Sequence, residues 1–441
     1  MLAEKLNSSD VRVPVDSLEF AGIALPDLAE VFAREAHVSL LFDGRKEGRC
    51  LLAVGAKRSL TWGVERPECI EAWNQFLKNS SGEKTWAFGW LGYDLKNVVE
   101  KLHSERSDST GFPVMHWVEP RVVIEWGGNR SKAEVVCGQN EPDANSLLLA
   151  VQRDAPETNP PAERIALKPR WDRSMYLQRV HRVKKHIQRG DVYELNLCQE
   201  WHGDGVLQDP WSAYIRLQRL TKAPYSALIK AGEYQLLCGS PELFLKKRGD
   251  QITSSPIKGT ARRGADQEED SRLARQLFND PKERAENVMI CDLVRNDLSK
   301  VALPGSVSVP ELFGIHRFQT VHQMISTVQC TMAPEKSLRD LIEATFPMGS
   351  MTGAPKIRAM QLIEELEGTR RGIYSGTVGY VRPNGDLDLN VVIRSIACNE
   401  RTQRISLQVG SAITAMSDPE KEYDECLLKA EALLQTLKGN A

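Results

Sequence analysis

The sequence lacks the marks of a disulfide-stapled or zinc-bound protein. Its nine cysteines are odd in number and none stands in a Cys-x-x-Cys pair, which argues against a disulfide framework and a structural zinc site. None of the eight histidines supplies a zinc-type spacing. The cysteines therefore read as reduced, mostly buried thiols. No stretch approaches the ~18 apolar residues of a membrane span, and the first residues carry no apolar core of a secretion signal. The net charge of −2 gives no field suited to nucleic acid or an anionic membrane. Repeats and low-complexity tracts are missing too. These absences lead us to expect a soluble, cytoplasmic protein.

What is present is a chain of 441 residues, long for one core at the usual ~100–200 residues per domain. Residues 155–162, rich in proline and polar side chains, form the best linker candidate. They divide an N-terminal region, 1–165, from a second region, 166–441. Before the division, apolar stretches at 38–42, 50–54, 86–92 and 121–126 read as strands, with helical patterns at 26–35, 67–77 and 143–153. After it, a helix at 174–189 feeds a strand at 192–199, and further strands fall at 226–229, 235–238 and 243–246. Asp266-Gln267-Glu268-Glu269 and Asp280-Pro281-Lys282-Glu283 cap two helices, the second running to 299. Residues 320–327 and 337–345 look helical. A glycine-rich loop at 348–354 leads into a helix at 355–367, strands follow at 376–381, 387–398 and 404–412, and Ser417-Asp418-Pro419-Glu420 caps a last helix. Strand runs mixed with helices, without strict alternation, predict an α+β fold of packed, largely antiparallel sheets flanked by helices.

Several side chains are candidates for chemistry. Lys258 lies in Pro256-Ile257-Lys258-Gly259-Thr260, just after a strand predicted at 250–255, and Glu242 heads the strand before it. A hairpin with its turn at 247–249 would bring the acid and the amine into one cleft. On spacing alone, two solvated surface charges are the plainer reading. The helix 281–299 sets Glu286, Met289, Ile290, Leu293 and Asp297 on one face. A carboxylate there needs a metal ion or an arginine such as Arg295 or Arg394, unless it sits half-exposed at the edge of the stripe. On the last helix Tyr423, Leu427, Ala430, Leu434 and Leu437 form the apolar stripe, and Glu425 with Lys429 reads as an ordinary i,i+4 pair on a wet face. Gly349–Lys356 has the wrong spacing for a phosphate loop, and Pro355 removes an amide. Glycines leading into a helix still suit a small anion such as a carboxylate, and Gly410-Ser411-Ala412 offer backbone N–H groups in the same way. His322 reads as a packed helix residue.

Taken in order, SPELF (240–244), PIKGT (256–260), RAENVMICDLVRNDL (284–298), VPELF (309–313), GSMTGAPKIRAMQLIEELE (349–367), YSGTVGY (374–380), DLNVVIRS (388–395) and DPEKEYDECLLK (418–429) resemble the chorismate-utilising enzyme family. Its members include anthranilate, aminodeoxychorismate, isochorismate and salicylate synthases. The resemblance covers about residues 173–438, with a weaker match at GWLGYD (89–94). It implies the fold of that family and roles by position. Glu286 and Glu425 resemble its magnesium ligands, with Glu283 and Glu422 one turn before each, placed to hold metal-bound waters. Gly259, Thr260, Gly410, Ser411, Ala412 and Lys429 resemble partners of the ring carboxylate of chorismate. Tyr374 and Arg394 would grip the enolpyruvyl side chain, with Ser350 lining the site.

Within the family, Lys258 resembles the branch that aminates chorismate at C4, on the way to p-aminobenzoate and folate; the anthranilate-forming branch carries alanine there. The resemblance implies that Glu242 protonates the leaving hydroxyl as general acid and that Lys258 forms an adduct at C2. Glu194 stands where isochorismate-forming members have a basic lysine, so attack by water is disfavoured. Gln323 stands where anthranilate-forming members have a histidine associated with loss of pyruvate. Leu40-Leu41-Phe42-Asp43 departs from the Leu-Leu-Glu-Ser motif of tryptophan-regulated members, so feedback by tryptophan is not expected. No glycine-flanked nucleophilic cysteine is present, and Cys198 and Cys291 lie inside predicted elements. Ammonia is therefore expected from a separate glutamine amidotransferase subunit.

Overall fold

Strands with apolar residues on both faces need a layer on each side, and the protein is built that way. The computed structural model describes residues 26–43, 48–78, 82–127, 132–155, 165–318 and 321–438. Two large sheets, one of 11 and one of 10 strands among the described residues, have antiparallel neighbours throughout. In the strand Arg49–Val54 the side chains of Cys50, Leu52 and Val54 join one core while Leu51 and Ala53 join another. Alternation of this kind, with a period of two, makes a sheet buried on both faces. The second of these cores lies between the sheets, where Leu51, Val123, Ile229 and Leu236 meet Phe88, Trp90, Val378 and Tyr380. Helices cover the outer faces. Arg173–Gln188, Pro210–Thr221, Lys356–Leu366 and Pro419–Lys438 back the larger sheet. Glu68–Phe76, Pro281–Ser299 and Leu338–Thr345 back the smaller.

Strands from before and after residue 165 share both sheets. His37–Asp43 pairs with Tyr225–Ala231 in one, and Ala87–Leu91 pairs with Thr377–Val381 in the other. The cores are therefore common to the two regions. Most of the proposed linker lies outside the described residues.

The antiparallel, helix-flanked α+β architecture agrees with expectation, but several elements differ. The segment read as helical at 320–327 is the strand Val321–Thr331, which pairs with Ser308–Arg317, a strand the pattern did not reveal. Burial on both faces over residues 322–326 masks the period of two within the stretch read as helical. His322 is thus a strand residue. The lysine segment after the predicted strand 250–255 is also a strand, Ile257–Arg262, with its register against Val321–Thr331 shifted between Ile257 and Thr260. The strand expected over 387–398 is two. Leu387–Asn390 belongs to the smaller sheet and Ser395–Asn399 to the larger, and Arg394 takes a φ of 51° at the crossover. The caps behave as the sequence requires. Asp266 accepts from the Glu269 amide, Asp280 from those of Lys282 and Glu283, and Asp418 from that of Glu420.

Candidate active site

The hairpin between Leu243–Arg248 and Gln251–Ser255 closes with Leu243 opposite Ser255, its turn at 249–250 rather than 247–249 because Lys247 and Arg248 continue the strand. Glu242 precedes the first strand and Lys258 follows the second, so both arrive at the same end. Glu242 is 5 % and Lys258 9 % exposed, and each charge acts on the other. Burial pushes the Glu242 carboxyl up to about 7; Ser350, Lys258 and the Ile257 backbone favour its charged form without offsetting that burial. For Lys258, burial opposes the ammonium, but Glu194, Glu286 and Glu242 outweigh it and hold the group above the ordinary lysine range. Its Nζ lies 2.6 Å from Oε1 of Glu194.

The helix Pro281–Ser299 lies against the lysine strand, its Glu283 Oε2 3.1 Å from where a Cβ on Gly259 would stand. Gly259 has a φ of 88°, so the residue after the lysine is confined by both backbone and space. Glu286 is buried, but its counter-charge is neither Arg295 nor Arg394. Arg295 pairs with Asp292 on the exposed side, and the ammonium of Lys282 lies 3.7 Å from Glu286 Oε1. The same ammonium reaches Glu422 Oε1 at 3.1 Å. Along this helix Glu286, Asn287, Ile290, Cys291, Asp297 and Leu298 are buried, so the inward face is turned from the one the apolar residues traced.

The last helix is turned too. Glu422, Cys426, Ala430, Leu433 and Leu437 are buried, whereas Leu427 is 41 % exposed. Cysteine and glutamate do not register as an apolar stripe, which is why the pattern misplaced it. Glu425 pairs with Lys429 at 2.6 Å, and Lys429 also donates to the Gly410 carbonyl at 2.9 Å. The pair expected on a wet face therefore bridges to the strand Arg404–Thr414. That strand is paired on one side along its whole length, but its other edge pairs only over residues 404–407. Beyond them Gly410, Ser411 and Ala412 present an edge without a strand partner among the described residues. A Cβ on Gly410 would stand 2.5 Å from Cys198 Sγ, so the position admits only glycine. Ser411 Oγ is held by Tyr176 OH at 3.0 Å.

Tyr374 is buried with its hydroxyl 3.8 Å from Cys198 Sγ. Arg394 is within charge range of Tyr374 and Glu425, and burial lowers its pKa. Its guanidinium has no hydrogen bond or ion pair among the described residues, so its fork is open to a ligand. A cavity beside Glu242 is lined by Pro256, Asp297, Gly349 and Ser350. Thr260 is exposed and lies opposite Gln323 in the ladder; the buried Oε1 of Gln323 has no partner among the described residues. His322 is fully buried against Asp270 at 2.8 Å, a packing role on a strand rather than a helix.

Residues 38–435 match the family described as chorismate binding enzyme. The chain belongs to that family. An aminodeoxychorismate synthase component 1 of Bacillus subtilis is 40 % identical over 363 residues, covering 80 % of this chain and 77 % of its own. An anthranilate synthase component 1 of Thermus thermophilus is 36 % identical over 357 residues, covering 79 % and 77 %. Among solved structures, anthranilate synthase component I of Streptococcus pneumoniae superposes with a TM-score of 0.76 at 27 % identity, over 88 % of this chain and 92 % of that one. The fold of this chorismate-binding enzyme is thus the one its motifs implied.

Three carboxylate oxygens in the site, Glu194 Oε2, Glu286 Oε1 and Glu422 Oε2, are buried without a hydrogen-bond partner among the described residues. Burial, with Glu194 and Glu283 close by, pushes Glu286 up to about 7; burial with Glu425 and Asp280 raises Glu283. For Glu425, Lys429 outweighs burial and lowers the pKa. Among the described residues no three His, Cys, Asp or Glu side chains form a ready cage for a metal. An all-oxygen set with unsatisfied carboxylates nonetheless fits a hard cation that uses few carboxylates and keeps waters. Sequence reasoning had passed over Lys282, although its i,i+4 spacing to Glu286 was a readable signal. Among the described residues, no helix is long and apolar enough to cross a membrane.

Proposed function

We propose that this protein aminates chorismate at C4 with ammonia, giving 4-amino-4-deoxychorismate, as one component of an aminodeoxychorismate synthase. The observation that carries this reading is the shared burial of Lys258 and Glu242 at one end of a hairpin, each within the other's field. With its pKa near 7, Glu242 can hold a proton at neutral pH and deliver it to the departing C4 hydroxyl. Lys258 attacks C2 as the ring double bonds shift, and ammonia then attacks C4 to release the lysine. Arg394, with its open guanidinium, receives the enolpyruvyl carboxylate beside Tyr374. Gly259, Thr260, Gly410, Ser411, Ala412 and Lys429 surround the ring carboxylate, and Ser350 lines the cavity.

Magnesium would be held by Glu286 and Glu425, with Glu283 and Glu422 through water, where it would neutralise the ring carboxylate among these acids. Ammonia would come from a glutamine amidotransferase subunit. Relatives named component 1 are consistent with such a partner.

A second reading, anthranilate formation with loss of pyruvate, draws on the Thermus thermophilus relative's name. Lys258 and Gln323 favour amination without that loss. Intact-mass spectrometry during turnover tests the lysine chemistry. The wild type should carry a chorismate-derived adduct, and Lys258→Ala should lack it and aminate far more slowly. An unchanged rate in that variant would refute covalent catalysis.

A further inference from the structure

Lys258 shares a buried ion pair with a residue that the reaction above leaves idle. Glu194 is 1 % exposed, and its Oε1 lies 2.6 Å from the lysine Nζ. Its second oxygen, Oε2, is buried without a hydrogen-bond partner among the described residues. The carboxylate is rigidly placed. Glu194 begins the strand Glu194–Asp204 and is flanked in the sheet by Thr414 on one side and Ala354 on the other, while the Tyr193 amide donates to the Ala354 carbonyl at 2.7 Å. Lys258 comes from the other sheet, at the register shift of its strand. The pair thus joins the two sheets across the site.

Other acids also act on the lysine: Glu242 from the bend before the hairpin, Glu286 and Glu283 from the helix Pro281–Ser299, and Glu425 from the last helix. None of these four has a hydrogen bond or ion pair to Nζ. Among the described residues Glu194 alone does, and it retains an unfilled acceptor.

We propose that Glu194 is the positioning residue of Lys258, aiming Nζ and taking up its proton as nitrogen bonds to carbon. This rests on the reading of Lys258 as nucleophile. In the first step an ammonium proton passes to Glu194 and the freed lone pair forms the N–C2 bond. The ring double bonds shift, and the C4–O bond breaks as Glu242 gives its proton, so oxygen leaves as water. In the second step ammonia bonds to C4 and the C2–N bond breaks, its electron pair returning to Nζ. Glu194 gives its proton back to the lysine, and the new ammonium at C4 gives one to Glu242. Both acids and the lysine end as they began.

The full chain is assayed with chorismate, ammonium and Mg²⁺ as wild type and as Glu194→Gln, which keeps the size of the side chain but not its basicity. The expected result is a fall in kcat of about 10²-fold, the scale of a lost proton acceptor, with little change in KM for chorismate. The pH optimum should move upward, because the variant must wait for free amine, and Glu194→Asp should restore part of the rate. An unchanged kcat and pH profile in Glu194→Gln would overturn the assignment.

Competitive acetylation of Lys258 without substrate, read by peptide mass spectrometry, gives a second measure. Lys258 should stay protected to higher pH in the wild type than in the variant. Wild-type Lys258 that acetylates like an unpaired surface lysine would also overturn the assignment. If Lys258→Ala is inactive while Glu194→Gln is normal, only the role of Glu194 falls. If Lys258→Ala is fully active, the nucleophile reading falls with it.

Discussion

The ammonium of Lys282 stands 3.1 Å from Oε1 of Glu422, tying the helix Pro281–Ser299 to the last helix of the chain. It also lies 3.7 Å from Oε1 of Glu286. A lysine here does part of the work proposed for magnesium, compensating acids that burial would otherwise disfavour.

Lys282→Met should therefore make stability depend on the metal. The lysine side chain is 28 % exposed, which limits its worth, so without divalent ions the loss should be on the order of 1 kcal/mol. Mg²⁺ should restore more in the variant than it adds to the wild type. Urea denaturation with Mg²⁺ and with chelator measures this, and a variant indifferent to Mg²⁺ would count against the metal site.

Burial raises Glu242 from 4.5 to about 7. The folded chain then binds that proton more tightly than the unfolded chain. Its contribution to stability is full below pH 4.5 and is lost as pH rises through about 7. Glu242→Gln should be more stable than wild type at pH 8, by up to about 3 kcal/mol, with the advantage shrinking towards pH 5. Amination should fall by about 10²–10⁴-fold. Denaturation at the two pH values checks the first statement; an equal difference at both would contradict it.

The side chain of Arg371 is 1 % exposed and its Nη2 pairs with Glu367 at 2.6 Å and also donates to the Asn196 carbonyl, while Nη1 donates to the Met351 carbonyl. Glu367 accepts in turn from the Cys198 amide. This pair joins the helix Lys356–Leu366 and the loop after it to the strand that carries Glu194. Arg371→Met should cost about 3–5 kcal/mol, because it strands a buried carboxylate. Changing Glu367→Leu as well should recover part of the loss, and urea titration of both variants decides it.

Much of this was legible in the sequence, and the failures share a physical cause. Helices with polar outer faces, such as Pro281–Ser299 and Pro419–Lys438, show their caps and lengths directly. Stretches buried on both faces do not, so the first half of Val321–Thr331, buried throughout residues 322–326, resembled a helix. The helix Pro210–Thr221 also went unread, with eight of its side chains buried, polar Ser212 and Gln218 among them. At the site, the proximity of Glu242 and Lys258 followed from one short hairpin. The partnership of Glu194 with Lys258 did not, because the two residues come from different sheets. Pairing across layers leaves no local spacing to read.

Gly259 offers a narrower test. With a φ of 88° and both Glu283 Oε2 and Leu277 Cδ1 3.1 Å from a prospective Cβ, Gly259→Ala should destabilise the fold by about 1–3 kcal/mol. It should also slow amination by displacing the neighbouring lysine. Normal stability and rate in this variant would show that the strand yields more readily than its packing implies.

The deciding measurement is the identity of the product. Incubated with chorismate, Mg²⁺ and an ammonium salt and followed by NMR, the protein should form 4-amino-4-deoxychorismate with the enolpyruvyl group retained. Anthranilate accompanied by pyruvate would contradict the assignment.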